Sequence, residues 1–168
     1  MAYTLPKSTT PLEARVFDHV PMAHVASVDS SIEFYTKLGF ACESRFTDER
    51  QQAYYAAICA DAAELMLVRA NGPVIASQQA VLFYMYTADV VALREYLLAS
   101  GLQDGGVYAA RPTAGQPCEN ENVETSIVYS VTQPFYMPEG EIRIHDPDGY
   151  VILVGQFPGR KPFKRKTA

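Results

Sequence analysis

The chain has 168 residues, of which 48% are hydrophobic and 20% are charged, as is typical of one compact domain that buries its own core. Glycine and proline occur at ordinary frequency, which excludes collagen-like and low-complexity chains. No apolar stretch approaches the roughly 18 residues that a membrane-spanning helix requires. The N-terminal residues lack the apolar segment of a secretory signal. We therefore expect a single cytoplasmic domain over residues 1–168, with no membrane partner.

The negative charge is concentrated in the body of the chain. Five of the 14 basic residues follow Pro158, which leaves nine basic against 19 acidic residues, a formal charge of −10. A body this acidic argues against nucleic-acid binding and suits a neutral or cationic ligand. The basic tail, residues 158–168, is expected to be solvated.

The cysteines show no spacing that indicates a disulfide framework or a zinc site. They are Cys42, Cys59 and Cys118, an odd number without a CxxC pair. We expect reduced, buried thiols.

One order of elements occurs twice along the chain. In each half a strand precedes an aspartate N-cap, a helix with apolar residues three or four apart, and a glycine that ends the helix. These features are residues 20–27, Asp29, residues 30–38 and Gly39 in the first half, and residues 81–88, Asp89, residues 90–100 and Gly101 in the second. The repeated order predicts a duplicated unit.

Further strands are predicted after each helix. In the first half they are residues 42–46, 52–58 and 64–68. In the second half they are residues 141–145 and 150–156, joined by the turn sequence DPDG, and either residues 106–111 or residues 126–132. The polar insertion over residues 111–125 is expected to form a surface loop.

Each half therefore reads as a βαβββ module that is too small to close a core alone. We predict an α+β fold in which two modules, at about residues 18–71 and 79–157, form a paired, curved mixed sheet. The helices would cover its outside, and the inside would be a central cup-shaped cavity for a ligand.

Three segments resemble the vicinal oxygen chelate superfamily, which contains glyoxalase I, extradiol dioxygenases and bleomycin-resistance proteins. They are VASVDSSIEFYTKLGF (residues 25–40), ELML (residues 64–67) and FYMPEGEIRIHDPDGYVILVGQ (residues 135–156). The resemblance implies paired βαβββ modules and a homodimer. Whether the modules pair within one chain or exchange between two stays open.

The resemblance also implies one divalent metal, held by His or Glu on the first and fourth strands of each module. The matching positions here are Val20, Leu82, Leu153 and, for the fourth, Glu64 or Met66. Three of the four side chains are hydrocarbon, so we expect no metal and no cofactor. His19 would face away from the cup beside Val20, unless a β-bulge turned it inward.

The candidate ligand-binding residues are those that the resemblance places inside the cup or at its mouth. They are Met22, His24, Tyr84, Tyr86, Phe135, Tyr136 and Arg143. His24 is either a ligand contact or a structural histidine, and the aromatic residues either recognise a planar ligand or only pack. Arg143 alternates with Glu141 and His145 on one strand face, which either contacts a ligand or is a solvated or cross-strand ion-paired face.

These observations favour a metal-free small-molecule binding protein of the glyoxalase/bleomycin-resistance type, which sequesters a drug or metabolite without transforming it. One alternative is a metal-dependent lyase, isomerase or dioxygenase with ligands among His19, Glu64, Glu141 and His145. Another is a cup filled by its own side chains, in a protein that acts only by association. No catalytic residue is assigned, and no dinucleotide, nucleotide-phosphate, hydrolase or zinc-protease motif occurs.

Overall fold

Two modules of like topology make up the described part of the chain, which is residues 19–108, 124–157 and 159 of a computed structural model. Module one contains β1 (Met22–Val25), α1 (Val28–Lys37), β2 (Ala41–Thr47), β3 (Ala53–Ala60) and β4 (Ala63–Arg69). Its four-stranded sheet, sheet one, has the order β1-β4-β3-β2. β1 lies parallel to β4, and the other pairs are antiparallel.

Module two repeats this arrangement with one additional strand. It contains β5 (Leu82–Thr87), α2 (Val90–Ala99), β6 (Gln103–Asp104), β7 (Ile127–Val128), β8 (Glu141–His145) and β9 (Val151–Gln156). Sheet two has the order β5-β9-β8-β7-β6, with β5 parallel to β9 and β6 parallel to β7. The predicted α+β class and the two βαβββ modules with open mixed sheets are confirmed. Within the described residues, neither of the two ten-residue helices is long and apolar enough to cross a membrane.

The first helix begins earlier than the sequence predicts. Ser27, in extended backbone, is the N-cap, and its hydroxyl accepts from the Ser30 amide at 3.3 Å. Asp29 lies in the first turn, where its carboxylate pairs with Arg45 at 2.8 Å, so the predicted N-cap is wrong. Asp89 is confirmed as the cap of α2, since its carboxylate accepts two amides of the first turn.

The uncertain strand of module two is β7, inside predicted residues 126–132, whereas residues 106–108 form no strand. The sequence did not predict the two-residue strand β6. Cys42 is exposed on the edge strand β2, which corrects the expectation of a buried thiol, and Cys59 is half-buried. Residues 109–123, with Cys118, and the tail beyond Gly159 lie outside the described residues.

Alternate residues of both sheets face the helices and form one continuous core. It includes Leu67 of β4, Ile152 of β9, Tyr35 of α1 and Leu97 of α2. The intervening residues lie on the opposite face of each sheet, which we call its open face.

The turn between β8 and β9 connects the two modules. Asp146 is fully buried, and its carboxylate accepts from the Tyr35 hydroxyl of α1 at 3.1 Å. Asp148 accepts from the Ala26 amide at 2.8 Å and from the Ser31 hydroxyl at 3.3 Å. Burial raises the pKa of both carboxyls, that of Asp146 to about 6. The predicted DPDG turn is thus also an inter-module contact.

Candidate functional site: the open face of sheet two

The open face of sheet two carries three adjacent rows of side chains from β5, β9 and β8. The strand register places them as Leu82, Val151 and His145, then Tyr84, Leu153 and Arg143, then Tyr86, Gly155 and Glu141. Because side chains alternate along a strand, all nine positions share the face opposite α2. Aromatic and charged groups are therefore mixed on one surface.

Glu141 lies at the centre of a hydrogen-bonded cluster on this face. It is only 5% exposed. The Tyr84 hydroxyl donates to Oε2 at 2.6 Å, and the Tyr136 hydroxyl donates to Oε1 at 3.2 Å. Burial, and then the hydrogen bond to Glu141, raise the pKa of Tyr84 well above its ordinary value. The phenol is therefore held protonated, as a donor to the carboxylate.

Gly155 provides the space in which this cluster is packed. A methyl group at this position would lie 2.7 Å from the terminal carbon of Met137 and 2.9 Å from the Tyr84 hydroxyl. Met137 thus covers β9 from the segment that precedes β8, while the Tyr84 phenol crosses β9 to reach Glu141. Only glycine leaves room for both side chains in this arrangement.

Aromatic rings continue the cluster towards solvent. The Tyr84 and Tyr86 centroids are 5.3 Å apart, and Phe157 follows 6.0 Å from Tyr86. We call Glu141, Tyr84, Tyr86, Tyr136 and Phe157 the tyrosine–glutamate cluster. Phe135 packs edge-on against Tyr136 and is 96% exposed.

Arg143 and His145 lie beside a second group of rings. The Arg143 guanidinium carbon is 4.0 Å from the centre of the Tyr108 ring. The His145 ring lies 5.2 Å from Tyr129, and its Nδ1 is 3.0 Å from the Glu124 carbonyl oxygen. The expectation of a solvated strand face is wrong, because Glu141 and His145 are both buried.

The candidate residues of module one lie on the open face of sheet one. Met22 and His24 are both exposed, and they pair in the sheet with Met66 and Val68 of β4. The backbone of His24 is hydrogen-bonded to the Tyr150 hydroxyl. The His24 amide donates to this hydroxyl at 3.2 Å, and the hydroxyl donates to the His24 carbonyl at 3.1 Å. The structure thus assembles Tyr84, Tyr86 and Tyr136 with Glu141, and it places Met22 and His24 on the other sheet.

The divalent metal implied by the resemblance does not fit the residues at the matching positions. Leu82 and Leu153 lie on the open face of sheet two without a donor atom. The parallel register of β1 and β4, continued two residues back from Met22 and Met66, brings Val20 level with Glu64. One carboxylate is too few to hold a divalent metal. Within the described ranges, no group of three or more His, Cys, Asp or Glu side chains could hold a metal ion.

Two residues of this site, Tyr108 and Met137, were not proposed from the sequence as ligand contacts. Glu141 was considered only as part of a charged strand face and as an alternative metal ligand, not as the centre of an aromatic cluster. Strand alternation placed Glu141 on the correct face, but it could not show that rings from β5 and from the segment before β8 cover the carboxylate. Gly155, in an otherwise β-branched and aliphatic strand, was the available sign of a close approach.

Comparison with known proteins finds a family match over most of the chain. A sequence model of the Glyoxalase/Bleomycin resistance protein/Dioxygenase superfamily matches residues 17–154. No curated protein sequence matches the chain.

Several solved structures share the fold. A bleomycin-binding protein from Streptomyces verticillus, complexed with copper(II)-bleomycin, is 16% identical, with a TM-score of 0.56 over 86% of this chain and 98% of its own. A bleomycin resistance determinant encoded on the transposon Tn5 is 16% identical, with a TM-score of 0.57 over 84% and 98%. A glyoxalase-related enzyme from Clostridium phytofermentans is 12% identical, with a TM-score of 0.59 over 87% and 98%.

Proposed function

Because the chain belongs to the glyoxalase/bleomycin resistance protein/dioxygenase superfamily, we propose that it binds a small organic molecule without a metal and sequesters it unchanged. The observation that carries this proposal is the open face of sheet two, where exposed aromatic rings surround a buried carboxylate. Hydrocarbon at the metal positions supports the metal-free part. Two of the similar structures are a bleomycin-binding protein and a bleomycin resistance determinant, so bleomycin is the first ligand to test.

Binding would combine apolar contact with a few polar groups, as in most small-molecule sites. Tyr86 and Phe157, each 52% exposed, offer flat surfaces to a planar ligand. Arg143 and the hydroxyl groups of the tyrosine–glutamate cluster would orient the polar parts of the ligand.

We also propose a homodimer in which a second copy completes the cup. Both open faces carry exposed apolar side chains away from the tyrosine–glutamate cluster, such as Met22 and Phe46 on sheet one and Leu82 on sheet two. A pairing of these faces would bury them. We further propose a cytoplasmic location and no nucleic-acid partner, in keeping with the acidic composition.

The first experiment is metal analysis of protein purified without chelators, followed by titration with bleomycin and a panel of aromatic drugs and metabolites. Binding would be followed by calorimetry, by the melting temperature and by tyrosine emission, which no tryptophan obscures in this chain. We expect substoichiometric metal, at least one binder, and recovery of that ligand unchanged by mass spectrometry.

A pair of variants locates the binding. Tyr86→Leu removes an exposed ring from the open face, whereas Tyr96→Leu removes a ring of similar exposure, 56%, from α2 on the other side of sheet two. We expect about a tenfold loss of affinity for the first and none for the second. A stoichiometric divalent metal, or a chemically altered ligand, would instead support a metal-dependent lyase, isomerase or dioxygenase.

A further inference from the structure

The charge of Glu141 has no cationic partner in the described part of the chain. Buried carboxylates are normally paired with a cation. The cation on the same strand face, Arg143, lies over the Tyr108 ring, and no ion pair joins it to Glu141. Among the described side chains, only the phenol groups of Tyr84 and Tyr136 bond the carboxylate. The negative charge of Glu141 is therefore not neutralised by an ion pair, although the charge of Arg143 also acts on Tyr136.

The rings around this carboxylate leave surface available to a ligand. The Tyr84 and Tyr86 rings are inclined at 58°, and the Tyr86 and Phe157 rings at 71°, so none stacks face to face on another. Tyr86 and Phe157 each keep about half of their surface exposed, and so does Tyr136. Ring faces beside a negative charge attract cations, through the ring quadrupole and the Coulomb field together.

The hydrogen bonds of the cluster decide which kind of cation suits it. Both oxygens of Glu141 already accept from phenols, and the carboxylate is almost entirely buried. A primary ammonium or a guanidinium, which must keep its donors satisfied, would find little of Glu141 to bond. A quaternary or fully alkylated ammonium has no such donors and can be held by ring faces and field alone.

We propose that the tyrosine–glutamate cluster is a site for a quaternary or alkylated ammonium group of the ligand. This inference rests on the proposed function, since it names the class of molecule that the open face of sheet two takes. The cation lies against Tyr86, Phe157 and the exposed side of Tyr136, with Glu141 behind the rings. The acidic body of the chain adds a longer-range attraction for the same class.

Choline and its uncharged isostere 3,3-dimethylbutan-1-ol test this proposal, because they share a shape and differ in the charge. Each would be titrated into the full chain, with binding measured by NMR and by tyrosine emission. We expect choline to bind at least about tenfold more tightly, by an amount that falls as salt rises from 20 to 300 mM. Equal affinities, or binding of neither probe, would overturn the inference.

Variants separate the carboxylate from the rings. Glu141→Gln should weaken choline binding about fivefold or more and leave the alcohol unchanged. Tyr86→Leu should weaken choline binding, Tyr86→Phe should preserve it, and Tyr96→Leu is the control outside the site. If Glu141→Gln fails to fold, the proposal is still tested by the salt dependence of choline binding to the unaltered chain and by the variants Tyr86→Leu and Tyr86→Phe.

These outcomes are separate from those of the proposed function. Failure of choline alongside a neutral binder from the drug panel would overturn the ammonium site and leave small-molecule sequestration standing. Failure of the whole panel and of choline would overturn the proposed function together with the ammonium site, whereas binding of choline alone would support both.

Discussion

At the scale of single residues, the carboxylate of Glu141 depends on donors that come from elsewhere in the chain. Tyr84 lies 57 positions earlier, on β5, and donates at 2.6 Å, whereas Tyr136 belongs to the preceding segment and donates at 3.2 Å. A hydrogen bond to a charged group contributes more than a neutral one, and most when it is short and shielded from water. The two phenols should therefore differ in their effect on stability.

We predict that Tyr84→Phe lowers the free energy of unfolding by about 1–2 kcal/mol, because it leaves a buried carboxylate oxygen short of a donor. Tyr136→Phe should lower it by less than about 0.5 kcal/mol, since that hydroxyl is longer-bonded and its residue is half exposed. Urea denaturation of both variants measures the difference. Equal losses would show that the two bonds contribute alike.

Asp146 gives a pH dependence with a definite sign. Its pKa is raised by burial from 3.8 to about 6, so between these values the folded chain binds more protons than the unfolded chain. The contribution of Asp146 to the free energy of unfolding is therefore fully present below about pH 4. It falls as the pH rises from about 4 through 6, by about 3 kcal/mol in total.

Asp146→Asn should remove this dependence. We compare the free energy of unfolding of the variant with that of the unaltered chain at each pH. The difference should shift in favour of the variant by about 2–3 kcal/mol between pH 4 and pH 7.5. Urea denaturation at the two pH values gives the comparison, and it cancels the opposite contributions of Asp29 and Asp48, whose pKa values are lowered by their arginine partners. A deficit that grows with pH would contradict the assignment.

At this scale the sequence showed which residues share a face but not which become buried. Alternation correctly placed Glu141, Arg143 and His145 together. Burial of Glu141 and His145 depends on rings supplied from other segments, such as Tyr84 and Tyr129, and a period of two within one strand carries no information about those contacts.

At the scale of elements, β9 and the segment before β8 meet at a single glycine. We predict that Gly155→Ala lowers the free energy of unfolding by about 1–3 kcal/mol, because its methyl group would overlap Met137 and the Tyr84 hydroxyl. Met137→Ala in the same chain should restore part of the loss, since it removes one of the two clashes. Chemical denaturation of the single and double variants measures this coupling, and simple additivity would argue against it.

The elements themselves were largely predictable, and the errors have local causes. Apolar spacing and the terminal glycines, Gly39 and Gly101, located both helices, because these positions adopt a positive φ at the helix ends. Ser27 and Asp29 are both good caps two residues apart, so the sequence alone could not choose between them. β6 has two residues and exists only by pairing with β7, which no local pattern encodes.

At the scale of the whole molecule, the turn after β8 completes the edge of β1. The Tyr150 hydroxyl bonds both the amide and the carbonyl of His24, and Asp148 accepts from the Ala26 amide. An unpaired strand edge would otherwise present these groups to solvent or to another chain. Module two therefore protects the edge strand of module one.

We predict that Tyr150→Phe lowers the free energy of unfolding by about 1–2 kcal/mol and speeds amide hydrogen exchange in β1. The His24 amide should exchange faster than the global change in stability requires, while the amides of β5 should follow that global change. Exchange measured by NMR at single residues tests this. Uniform acceleration across both modules would show that the contact has no local effect.

The same turn also packs against the segment that joins the modules. Gly149 has a positive φ, and a methyl group there would come within 2.5 to 2.7 Å of three atoms of Ala76. The segment that joins the two modules therefore packs closely against the turn of module two at Ala76, before β5 begins. Loops grafted between the modules should be tolerated around exposed Gly72 and Pro73 and disfavoured at Ala76, so the start of this stretch suits the insertion of tags or reporters.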